Sequence, residues 1–150
     1  MRSQDVIKRL RSAFPSEAPP AARSMAAEEG RKDLGGRRWT EPGLPTLRRN
    51  HESLFFMPPA QVVYWLPAFL VATLRYPRRA GNLVGSIAFT LTKPGAGAYR
   101  KRYSDWTSLL NEEQRAAVAA FIERFLVVHG DNAALARSGR TVFGKAAKPR

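Results

Sequence analysis

The sequence predicts an all-α, single small helical domain around a buried, proline-kinked central helix, and three observations carry that prediction. Between Ala60 and Leu74 only Gln61 and Thr73 are polar, so a helix over Pro58 to Pro77 is apolar on every face and has to be wrapped by other elements. Val118, Phe121, Ile122, Phe125 and Val128 fall on one stripe at helical spacing. Val6, Ile7, Leu10 and Phe14 do the same near the N-terminus.

Taken in chain order, Ser3 is placed to cap the first helix and Pro15 to end it. Pro15 to Pro20 has the composition of a linker, and Ala21 to about Lys32 reads as a weakly amphipathic second helix with Met25 as its only large apolar residue. Gly30, Gly35, Gly36, Pro42, Gly43 and Pro45 make the next passage turn-rich. Trp39 inside it is expected to plug the edge of the core, because an indole buries so much apolar area. Leu44, Leu47, His51 and Leu54 suggest a short helix facing the core, with His51 at its margin.

The central helix starts well at Pro58-Pro59, since a first-turn proline gives up only an N–H that lacks a partner. Pro77 stops it, and Pro67 inside predicts a kink over Val63 to Pro67. Asn82 is placed to cap a following element, Leu83 to Leu91. Its Val84, Ile87, Ala88 and Leu91 suit a helix, while Ile87, Phe89 and Leu91 also alternate as in a strand. The Pro/Gly-rich, basic run from Lys93 to Tyr103 reads as an exposed loop. Asn111 with Gln114 forms a capping-box pattern, Glu112 and Glu113 complement the helix dipole, and Gly130 supplies the stop. This last long helix is expected to lie along the central one. Residues 1–136 thus form the helical domain, with 15–45 loosely packed, and 137–150 form a flexible basic tail lacking period and bulk.

Composition bounds the chemistry. A chain of 150 residues is long enough to bury a core without staples. Zero cysteines exclude a disulfide scaffold, a thiolate zinc site and a thiol nucleophile, and suit a reducing cytoplasm. The N-terminal stretch has no apolar run of the kind a secretion signal needs. Leu54 to Leu74 carries no charge, but three prolines and arginines on both flanks argue against a membrane span.

Two histidines and no glycine-rich phosphate loop leave no expected cofactor, metal site or catalytic set. On a helix, adjacent His51 and Glu52 point about 100° apart and form neither dyad nor chelate. The net charge is +13, and no acidic residue occurs from Ser53 through Ser104. Arg75, Arg78, Arg79, Lys93, Arg100, Lys101 and Arg102 lie in that interval, and with Tyr103 they form the expected partner-binding set. An acidic protein partner is one complement, as for an immunity or accessory protein. Nucleic acid is the alternative, with the arginines on phosphates and Tyr76, Tyr99, Tyr103 and Trp106 available for stacking. Membrane association and an unrecognised enzyme form a third class.

With these elements in place, AFP at Ala13 to Pro15, Trp39, HESLFFMPPAQVVYWLPAFL from His51 and LLNEEQRAAVAAFIERF from Leu109 together resemble an uncharacterised bacterial family, a domain of unknown function. YWLPAFL is the most specific piece, and Asn111 stands where that family more often has threonine. The resemblance implies an all-α, single-domain, non-enzymatic protein and supplies neither catalytic residues nor a ligand.

Overall fold

The computed structural model describes residues 1–17 and 33–144. Seven α-helices and no strand occur among them. The second helix expected over Ala21 to Lys32 lies outside the described residues.

Helix α1 (Ser3–Ala13) buries Val6, Ile7, Leu10 and Ala13, the face its spacing predicts. Its cap differs from expectation. Arg2 occupies the N-cap position and Ser3 is already helical, its Oγ accepting a 2.9 Å bond from Arg124 Nε. Trp39 does plug the core edge: it is 3% exposed, and its Nε1 donates to the carbonyl of Phe14 at 3.0 Å. Its backbone N–H donates to Tyr64 Oη at 3.1 Å, and that hydroxyl donates to Ser16 O at 3.0 Å. Leu34 and Leu44 are buried as well, so the described part of the turn-rich passage reaches the core at these points.

Helix α2 (Leu44–Arg49) ends before His51, and a 3-10 turn (Ser53–Phe55) carries the chain into α3 (Pro59–Arg75). Pro58 is the N-cap of α3 and Pro59 its first helical residue. The helix passes through buried Pro67, although that residue has no N–H for the carbonyl four positions back. From Trp65 to Leu74 every residue is buried, so other elements cover α3 on all sides, as its lack of a polar face requires.

Helix α4 (Asn82–Leu91) settles the ambiguity of that segment. Leu83, Ile87 and Leu91 form one buried stripe, whereas Phe89, which a strand would place beside Ile87 and Leu91, is 59% exposed. Its cap is Gly81 rather than Asn82, at φ 58 and ψ −126, a conformation open to glycine. A Cβ there would also stand 2.8 Å from Arg48 Nη2. Gly81→Ala is therefore expected to cost about 1–3 kcal/mol, read as a lower midpoint in urea at unchanged slope.

The run expected as an exposed loop from Lys93 to Tyr103 becomes helical at Gly97 and continues as α5 (Gly97–Thr107). Tyr103, Trp106, Thr107 and Leu110 supply a buried stripe at helical spacing that starts beneath the basic run, and this stripe holds the helix down. Helix α6 (Glu112–His129) has both halves of the capping box, buries Val118, Phe121, Ile122 and Phe125, and stops at Gly130 with φ 105. It packs on α1 and α3, and His129 Nε2 lies 2.9 Å from Thr73 O.

The tail expected to be mobile from 137 onward is structured as far as the description runs. Helix α7 (Ala133–Ser138) is capped by Asn132, whose Oδ1 accepts from the N–H of Leu135. A π-helical turn (Gly139–Gly144) follows and seats Phe143 in the core at 0% exposure. Gly139 allows the approach to α6, since a Cβ there would meet Ile122 Cγ2 at 3.1 Å. Arg115 then fastens the turn by donating to Val142 O at 2.9 Å and to Thr107 O at 2.8 Å. One large ring, one small residue and two charge-assisted bonds replace the missing period.

Among the described residues no helix is long and apolar enough to cross a membrane.

Candidate docking surface

The cations expected to act together divide into two groups. Arg75, Arg78 and Arg79 precede α4 and Lys93 follows it, so a helix of 10 residues, about 15 Å of rise, separates the groups. In the first, Arg79 stacks 5.6 Å from the centroid of the Tyr76 ring, and Arg75 stands beside Lys8 and Arg11 of α1. In the second, Lys93 and Arg100 are exposed, and Arg100 Nη1 donates to Gly95 O at 3.0 Å.

Two of the expected residues need correcting, and a third, Arg102, is set apart from the exposed cations. Lys101 pairs on the surface with Asp105, one helical turn on and just past the acid-free interval, at 3.1 Å. Tyr103 does not face a partner: it is 5% exposed and its hydroxyl donates to Leu91 O at 2.7 Å. Burial pushes that hydroxyl's pKa up, against a smaller opposing effect of Ser138, so it stays a neutral donor. Arg102 is half-buried and donates from Nη2 to Leu54 O at 2.6 Å, and its removal from water pulls its pKa down.

These corrections expose what the sequence did not show. The 3-10 turn, α4 and α5 enclose a cleft of about 280 Å³. Leu54, Tyr103 and Trp106 form its floor, with the Tyr103 and Trp106 rings meeting edge to face at 5.6 Å. Phe56, Phe89 and Tyr99 line it while 65%, 59% and 69% exposed, and Phe89 leans edge-on against Phe55 at 5.3 Å. Arg102 lines the same cleft. The signal available beforehand was weak. Phe56 sits in an apolar run and Phe89 in an ambiguous element, and neither spacing says which ring points outward.

A histidine–serine contact was also missed, because 35 residues separate the partners: His51 Nδ1 lies 2.7 Å from Ser86 Oγ. Ser86 stands within α4, where its N–H and those following are committed to the helix ladder. The pair ties the chain just after α2 to α4. Among the described residues no group of three or more His, Asp or Glu could hold a metal ion.

The family model described as a family of unknown function (DUF6714) matches residues 17–138, well over half of the chain. The protein belongs to that family. The match to DUF6714 takes in both arginine groups, the cleft and α6, and leaves Ala13 to Pro15 outside it. No curated protein and no solved structure matches the chain.

Proposed function

We propose that this DUF6714 member is a non-enzymatic interaction module of the bacterial cytoplasm that holds an acidic protein partner through its cationic surface, in the manner of an immunity or accessory protein. One observation carries the reading. Arg75, Arg78, Arg79, Lys93 and Arg100 are exposed, and the ion pairs among the described residues, Arg2–Asp5, Arg49–Asp33 and Lys101–Asp105, neutralise none of them. Unpaired cations on a chain of net charge +13 steer an anionic surface into contact, and they lose that pull as salt screens them.

Affinity purification from the native cell, with and without nuclease, tests it. The expected result is an acidic protein recovered equally in both arms and lost from the variant Arg78→Gln, Arg79→Gln, Arg100→Gln. Non-specific nucleic-acid binding is the second reading, favoured by Tyr99, whose ring is 69% exposed next to Arg100 in the chain. Recovery that vanishes with nuclease would put this second reading first.

A further inference from the structure

Three exposed aromatic rings around one depression are unusual for a surface with no partner, and aromatic and arginine side chains are those that dominate interface energetics. The cleft's volume, about 280 Å³, lies under the range typical of cofactor and drug-sized ligands. It has room for one or two side chains. Arg102 adds the polar element. Its guanidinium has five donors, one of which goes to Leu54 O, and among the described residues it has no carboxylate partner. A half-buried cation without a counter-ion favours an arriving carboxylate, because a charge-assisted bond restores what burial removed. Lys93 and Arg100 stand near the cleft in the chain, and the carboxylate of Asp105 is already engaged by Lys101.

We propose that this cleft is the anchoring pocket for an acidic segment of the protein partner, seating an apolar side chain among Phe56, Phe89 and Tyr99 while a neighbouring carboxylate takes the remaining donors of Arg102. The assignment rests on the acidic-partner reading and specifies where that partner is gripped. The remote group, Arg75, Arg78 and Arg79, steers approach; the cleft sets residence.

The test uses the full-length chain and fluorescent, end-capped peptides carrying leucine or phenylalanine between flanking aspartates. Two control peptides are used, one with alanine for the apolar residues and one with asparagine for the aspartates. Polarisation should show binding that both controls weaken. Arg102→Gln should weaken it about tenfold or more, as should Phe89→Ala with Tyr99→Ala, a pair exposed enough to leave folding intact. Arg78→Gln with Arg79→Gln should change it little.

The pocket is overturned if the alanine peptide binds as well as the parent, if the asparagine peptide does, or if no peptide binds. A concentration-dependent dimer dissolved by Phe89→Ala with Tyr99→Ala would also overturn it, by giving the cleft to a second copy. If the peptides fail while the purification still yields an acidic protein lost with the arginine variant, the pocket falls and the interaction reading stands. If recovery is also nuclease-sensitive, both fall.

Discussion

Phe143→Ala is expected to lower the free energy of unfolding by about 3–5 kcal/mol. Phe143 is 0% exposed, and its ring packs 6.4 Å from the centroid of Trp106. Truncation would leave a void that neighbours cannot close, because Gly139 already lies against Ile122 and Arg115 fixes the carbonyl of Val142. Against a typical total of about 5–15 kcal/mol the loss is large, and the melting temperature should fall by on the order of 10 °C. A mobile tail would give no change at all, so the measurement separates the sequence expectation from the structure. The substitution should also loosen the cleft floor through Trp106.

Trp39→Ala should cost about as much, roughly 3–5 kcal/mol. Here the loss has two parts, the area of a large ring that is 3% exposed and the buried carbonyl of Phe14 left without its donor. Trp39→Phe keeps most of the area and removes the donor, so it should cost roughly 1–3 kcal/mol. Chemical denaturation of both variants checks the division. Were Trp39 a partner anchor instead, alanine would spare stability and abolish binding.

The parts of the fold that local physics decides were legible in the sequence. The apolar stretch within Pro58 to Pro77 reads as a wrapped helix and is one, and the Asn111–Gln114 box with Gly130 set both ends of α6. The parts decided by distant partners were not. Tyr103, Trp106 and Leu110 identify α5 as a packed helix only once the core they meet is in place, and the glycines and cations at its start mask them. Phe143 is a lone aromatic in a basic stretch, and its burial depends on Gly139 and Arg115. Caps misled where local preference was not followed: Ser3 and Asn82 are helical residues, and Gly81, in a conformation open to glycine, occupies the N-cap of α4.

The docking surface was half legible. Charge composition marked the cations, since an acid-free interval is a property of sequence alone. It could not mark Tyr103 as core, or Asp105 as the partner of Lys101 across one helical turn. Nor could it place Phe56 and Phe89 on one cleft, because they lie on different elements of the chain.

The proposed docking places an acidic segment at the aromatic cleft. Backbone amide shifts recorded by NMR while the leucine–aspartate peptide is titrated into the protein test it most directly. Saturable shifts centred on Phe56, Phe89, Tyr99 and Arg102 are expected, absent from Phe89→Ala with Tyr99→Ala. Shifts confined to Arg75, Arg78 and Arg79, or spread evenly over exposed cations and erased by moderate salt, would contradict it.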